Sequence, residues 1–389
     1  MNVIERLTAA RPAHLDPAVE TDQATRDAEL ARAMATPRTP ATARTTDEIR
    51  SNEMNRAFVR PLWGLGVAGV AAATTVALAV TGSGGGAAPG SPGISASAAP
   101  TTMDARTVLL AAAHQATGSP DETAAYWHST RLDRSYHRIG DYTIVRESRS
   151  ESWTPTATGK GAQTWNREQY LGARPATPVD VAAWKRAGAP ATFEVQHYPG
   201  PRAKFFKPEV LRTGPGKPST SHVPLVDGDK VFWLGRNVTM KDLRGLPADP
   251  AGLKALLLRS YKGHGTESSS EAMSAETWLF TVTRNLITDM PVTPRVRAAA
   301  FRMLADLKTV RAVGTVKDAQ GREGTAVAVT EDTETEGLLQ HRLIIGSAGA
   351  ALGQETVALR PAGTTAGLPA GSVVRSSTVS SDWTDSVPR

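Results

Sequence analysis

Apolar and polar positions divide this chain into a polar opening, one long apolar run, a connector of small residues, and then strands, helices and strands again. From Pro61 to Val80, PLWGLGVAGVAAATTVALAV, twenty residues carry no charge and only two hydroxyls, Thr74 and Thr75. A helix of that length rises about 30 Å, the thickness of a bilayer's hydrocarbon core, and satisfies its own backbone polar groups. The run predicts one transmembrane helix over residues 61–80. Arg50, Arg56 and Arg60 lie just before it, and no charge follows until Asp104. That bias predicts a cytoplasmic N-terminus and an extracytoplasmic C-terminal portion in the cell membrane. Two alternatives stand beside the span. A cleaved leader, for which Ala77-Leu78-Ala79 supplies small residues, is disfavoured by the sixty residues before the run and by its length. A buried soluble helix is left open by its Ala and Gly content.

Within the run, Gly64-Leu65-Gly66-Val67-Ala68-Gly69 fits the spacing of a dinucleotide fingerprint, but no strand precedes it and no acidic residue stands about twenty positions on. Gly64, Ala68 and Ala72 instead form a small-xxx-small stripe suited to close helix packing; small residues simply facing lipid account for them equally well.

The segment 1–60 has few large apolar residues and is expected to be mostly disordered. One helix is possible there, opened by Asp16 and Pro17, with Ala28, Ala31 and Met34 on one side and Pro37 and Pro40 ending it. Residues 81–103 form a Gly, Ser, Ala and Pro linker, flexible by composition. The outer domain, 104–389, begins with a helix over residues 105–116. Strands are predicted at 126–128, 142–146, 162–165, 192–195 and 230–234. Along the second, Arg146, Glu147, Arg149 and Glu151 suit cross-strand charge pairing. Between Pro199 and Pro224 a loop carries Arg202, Lys204, Lys207 and Lys217 around Phe205 and Phe206. Either an ordinary exposed loop or an anionic-ligand or membrane contact fits it.

Three helices follow. Asp249 and Pro250 open one bearing Leu253, Leu256, Leu257 and Tyr261; a second from Ala275 groups Trp278, Leu279, Val282 and Leu286; Thr293 and Pro294 open a third with Val296, Ala299, Ala300, Met303, Leu304 and Leu307 inward. Strands return at 310–316, 325–330, 340–345, 355–359 and 372–380, the first two joined as a hairpin over Asp318 to Gly321. This order predicts an α+β domain: a curved antiparallel sheet with helices packed on one face.

Composition narrows the chemistry. The 389 residues include no Cys, which removes disulfides, thiolate nucleophiles and Cys-ligated zinc. Nine basic and nine acidic residues balance in 1–60, so the net +6 belongs to the outer portion. A basic exterior favours anionic surfaces such as lipid headgroups or acidic wall polymers, though solubility and the Arg-rich base composition account for it as well. The eight His show no H-E-x-x-H, no G-x-S-x-G is present, and no Lys follows three residues after a Ser. Glu331, Asp332, Glu334 and Glu336 lack the spacing of a calcium loop and are read as a solvated hairpin tip. No catalytic residue, cofactor or metal site is predicted, and no nucleic-acid partner.

Leu246-Pro247-Ala248-Asp249-Pro250 with Leu253, Pro294 with Arg297-Ala298-Ala299, Leu304-Ala305, and Asp318 with Gly321-Arg322 and Gly324 resemble a family of uncharacterised actinobacterial single-pass membrane proteins often encoded beside extracytoplasmic-function sigma factors. The layout of tail, span, linker and outer domain is similar too. Lys308-Thr309 and Gly346 to Gly349 depart from it at two turns. The resemblance implies signal relay, with an outer domain that senses envelope conditions or binds a ligand and a tail that binds a sigma factor. A curved sheet lined with helices also resembles lipoprotein carriers, which implies the alternative: a tethered lipid or lipoprotein binding module. A wall-active enzyme would need paired carboxylates in a cleft, and none stand out.

Overall fold

The computed structural model describes residues 104–197, 207–265 and 271–388. The expected tail helix, the span at 61–80 and the linker lie outside these residues, as do Arg202, Lys204, Phe205 and Phe206. Among the described residues no helix is long and apolar enough to cross a membrane.

Helix α1, Ala105–Gly118, starts where Asp104 accepts a hydrogen bond from the Thr107 amide at 2.8 Å, and it buries Val108, Leu109, Ala112 and Ala113. Three long strands follow: β1 (Tyr126–Ile139), β2 (Tyr142–Pro155) and β3 (Gln163–Pro175). Each runs well past the apolar segment that announced it. Their polar middles stay extended because charges are matched across the ladder: Arg134 meets Glu147 at 2.5 Å, Arg174 reaches the same carboxylate at 3.3 Å, and Arg167 stands 4.0 Å from Glu151. Such cross-strand pairs contribute about 0.2–1 kcal/mol each. The expected pairing of Glu147 and Glu151 is thus present.

Helix α2, Pro178–Arg186, was not anticipated. Thr177 and Asp180 form its capping box, and the buried Asp180 carboxylate also accepts the Thr143 amide at 2.7 Å, fastening the helix to β2. Strands β4 (Thr192–Val195) and β5 (Glu209–Arg212) make a small ladder. The stretch expected as loop from Pro199 to Pro224 therefore contains β5 and also β6 (Ser219–Pro224), which pairs with β3. Both lack apolar alternation of their own and are specified by partners distant in sequence.

A hairpin of β7 (Lys230–Trp233) and β8 (Arg236–Thr239) leads into α3 (Met240–Arg244), α4 (Pro250–Leu258), α5 (Ala275–Asp289) and α6 (Pro294–Ala305). Asp249, Ser274 and Thr293 cap the last three, and Pro stands at the start of α4 and α6. Strands β9 (Arg311–Lys317), β10 (Glu323–Thr333), β11 (Gly337–Ile345), β12 (Ala351–Pro361) and β13 (Ser372–Thr384) complete the domain.

The nine-stranded sheet has the order β6-β3-β2-β1-β13-β12-β11-β10-β9, every pair antiparallel. The first and last strands meet at its centre. The result is α+β with a large curved antiparallel sheet. The main core joins α1, α4, α5 and α6 to β10 and β11 through fully buried Leu109, Leu253, Phe280, Leu286, Phe301 and Leu304. Each such side chain contributes roughly 1.5–3 kcal/mol on burial. A second cluster packs Ala183 and Trp184 of α2 on Tyr142 and Ile144. Direct pairing places these β2 residues on the same face as Trp127, whose indole N–H donates to the Asp289 carbonyl of α5. Both ends of the sheet therefore carry helices on one face.

The turn with Asp318, Gly321 and Arg322 explains its own sequence. Buried Asp318 accepts from the Gln320 and Arg322 amides at 2.9 Å and from Arg322 Nε at 2.6 Å, while Arg322 Nη2 donates to the Leu352 carbonyl at 2.8 Å. Gly324 beyond it lies so close to β11 that a Cβ would sit 2.7 Å from the Ile345 carbonyl oxygen.

Candidate functional site

The helix-bearing face of the sheet is polar at its middle. Register places Arg146, Ser135, Arg375, Thr356, His341 and Val329 in one row across six strands. Beside it runs a second row, Asp133, Ser377, Gln354, Leu343 and Val327. Helix α5 crosses these rows and is pinned there. Gln354 Nε2 donates to Asn285 Oδ1 at 3.0 Å and to Thr288 Oγ1 at 2.8 Å, and Arg131 pairs with Asp289 at 2.6 Å. Thr277, Thr281, Arg284 and Thr288, spaced by four, three and four residues, form a stripe along α5 and are all buried.

Arg284 is the unusual member. Its residue is 6% exposed, yet Nε and Nη1 are buried without a hydrogen-bond partner. Burial, reinforced by the charge of Arg375, pulls its guanidinium down to about 10, with Glu331 and Asp289 opposing. Burial likewise lowers Arg375 to about 10, against the pull of Glu331 and Glu271. Arg375 also bonds Glu336, and a quarter of its side chain remains exposed.

The acidic hairpin tip is only partly solvated, a correction to its expected character. Asp332 and Glu334 are exposed, but Glu331 turns inward to His341 at 2.8 Å and Glu336 turns inward to Arg375. Period-two alternation sends Glu331 and Asp332 of β10 to opposite faces, while Glu336, in the turn beyond the strand, is drawn inward by Arg375. Burial lowers the His341 pKa, against its bond to Glu331, so the imidazole is held neutral.

Next along the sheet, His137 is lowered to about 4 by burial and by neighbouring His197. His197 bonds Glu209 at 2.7 Å, and that bond holds the carboxyl below its usual range. Burial raises the Asp133 carboxyl, with Arg131 opposing it. Among the described residues no group of three or more His, Asp and Glu is arranged to hold a metal ion. The rows gather guanidiniums, which are donors only, and buried donors seek acceptors.

A cleft of about 490 Å³ opens at another place, between α1, the end of α6 and edge strand β9. Leu109, Leu304, Leu307 and Val310 line it, with Arg106, Lys308 and Arg311 among its charged residues.

Arg50, Arg56 and Arg60, which the sequence assigns to membrane orientation, and Gly64, Ala68 and Ala72, assigned to helix packing, lie outside the described residues. Arg284 and Arg375 were missed. The polar stripe 277, 281, 284 and 288 within an otherwise apolar helix was the available signal for Arg284; nothing local marks Arg375, which gains its place by pairing with β1 and β12. No family model and no curated protein matches this chain, and the site is therefore read from its own residues.

Proposed function

We propose that this is a single-pass membrane protein whose outer α+β domain binds a ligand or envelope component, and whose tail, residues 1–60, regulates a sigma factor in the cytoplasm. The uncharged run 61–80 preceded by Arg50, Arg56 and Arg60 supports the two-sided arrangement. The resemblance to membrane proteins encoded beside sigma factors supports the relay. The observation that carries the binding role is the polar stripe of α5 laid over the polar rows of the sheet, where a purely structural domain gains more from apolar contacts. Capture of the full-length tagged chain from its host, followed by identification of co-purifying sigma factors, tests the relay. One saturably bound sigma factor, lost when residues 1–60 are deleted, is the expected result. Absence of every sigma factor from the captured material would end that reading.

The second reading, a tethered lipid or lipoprotein binding module, is favoured by the cleft of about 490 Å³, whose size suits a small ligand and whose lining sets Leu307 and Val310 beside Arg106, Lys308 and Arg311. Its test is retention of labelled lipid by the purified chain, with Val313→Arg, at an exposed residue lining the cleft, abolishing it. The middle of the helix-bearing face, being charged, favours a polar ligand over an acyl chain there.

A further inference from the structure

The two ends of the small ladder β4–β5 are held to the rest of the domain differently. At the Thr192–Arg212 end, Tyr170 of β3 donates its hydroxyl to the Arg212 carbonyl at 2.6 Å and accepts the Arg212 amide at 3.1 Å. At the Val195–Glu209 end the contacts are histidines. His197 bonds Glu209 through Nε2 at 2.7 Å, and its ring stands edge to face against His137 of β1 with centroids 5.8 Å apart. The Nε2 of His137 is buried there without a hydrogen-bond partner. Between the two ends Phe193, Val195 and Leu211 are buried against Tyr142, Ile144 and Ala173.

His137 sits among charges that mostly repel a proton. Arg146 of β2, Arg375 of β13 and His197 beside β4 disfavour it, and Glu209 of β5 favours it. That carboxylate is already shared, with His197 at 2.7 Å and Arg146 at 3.9 Å. Along β1 the same face carries uncharged Ser135 and Ile139, and Asp133 beyond them faces Arg131. Helix α2 adds Asp180, whose carboxylate is committed to Thr177 and to the Thr143 amide. We propose that the β4–β5 ladder is an acid-opened flap: a proton on His137 lifts the Val195–Glu209 end away from β1 while Tyr170 retains the other end, baring Phe193, Val195 and Leu211. Burial of those three side chains keeps the flap closed at neutral pH. His137 binds a proton at about 4 when covered and at the ordinary 6.5 when uncovered, so acid favours the open form. Between pH 7 and pH 5 the ratio of open to closed rises about twentyfold. Glu209, held below its usual range while His197 faces it, adds to opening only at lower pH.

This deepens the sensing role proposed for the outer domain by naming the proton as its signal, and rests on that role only for its meaning to the cell. The test uses purified full-length chain with no sigma factor present. Amide hydrogen exchange, corrected for the intrinsic pH dependence of the exchange reaction, is compared at pH 7 and pH 5 in β4–β5 and in β10–β11. The expected result is protection in β4–β5 that falls at least tenfold and stays below that of β10–β11 at both pH values. His137→Gln should reduce the fall to less than twofold, while His197→Gln, which leaves His137 in place, should retain most of it. Should His137→Gln fail to fold, the imidazole resonance of His137 in the unaltered chain gives a second reading, with a midpoint below pH 5 expected. Protection in β4–β5 that is unchanged at pH 5, equal protection in the two ladders, a full fall in His137→Gln, or a His137 midpoint at pH 6 or above overturns the proposal. Failure here leaves sigma-factor capture untouched, and failure of that capture leaves the flap untouched.

Discussion

Replacing Arg284 with methionine should make the ligand-free protein more stable. Methionine is a flexible, unbranched apolar side chain able to follow much of the arginine stem, so the loss of packed volume is small. The substitution removes two buried donors that have no partner and relieves the repulsion with Arg375. Against this stands the lost attraction to Glu331 and Asp289. Glu331 keeps its bond to His341, whose proton is currently disfavoured by the Arg284 charge among other causes, so that pair can strengthen when the charge goes. Replacing buried charges by apolar groups of similar size commonly stabilises by about 1–4 kcal/mol, and the compensating loss places this variant near the lower half, about 1–2 kcal/mol. For a domain of this size that is a rise in Tm of roughly 2–5 °C. Urea unfolding should show a higher midpoint at unchanged m. A loss of more than about 2 kcal/mol, the behaviour expected when one partner of a satisfied buried pair is removed, would refute the reasoning, because Arg284 would then have a partner in the folded chain.

Other sites give independent tests. Asp318→Ala removes the acceptor of three hydrogen bonds from the β9–β10 turn and should destabilise by about 2–4 kcal/mol in denaturant titration, whereas a change below about 0.5 kcal/mol contradicts the role of that turn. Gly172 has φ +109°, and a Cβ there would sit 2.6 Å from the Thr213 carbonyl oxygen, so Gly172→Ala should lower stability by at least about 2 kcal/mol; a neutral result refutes the close approach of β3 to the segment after β5. His137, lowered to about 4 from an unfolded value of 6.5, binds its proton more readily in the unfolded chain. Its contribution is therefore fully present above pH 6.5 and falls by up to about 3 kcal/mol as pH drops toward 4. His137→Phe should flatten that part of the stability profile, and an unchanged slope assigns it to other groups.

The sequence showed the helices best. Asp249-Pro250, Ser274 and Thr293-Pro294 are local caps, and the stripes behind them are long enough for the apolar period to be read without knowing the partner. Thr192–Val195 was legible as a strand because it is short, β-branched and aromatic. The polar middle of β1 was not, since Arg134 becomes a strand residue through Glu147, whereas that of β2 showed itself only in its pattern of opposite charges. Strand β6 exists because β3 offers it an edge. The overlooked helix α2 did carry a signal, Thr177-Pro178 with Asp180 two further on, and its capping box is as local as the others. The candidate site was the least visible. Arg375 and His341 lie far apart in the chain and come into one row only through register with Thr356, which no local pattern encodes.

The two-sided arrangement on the membrane underlies the whole functional account, and the absence of Cys makes it directly measurable. A single cysteine is introduced either at Ser51 or at exposed Ser221 on β6, and intact cells are treated with a membrane-impermeant maleimide. The account predicts labelling of S221C in intact cells and of S51C only after permeabilisation. Labelling of S51C in intact cells with S221C protected, or protection of both, would contradict it.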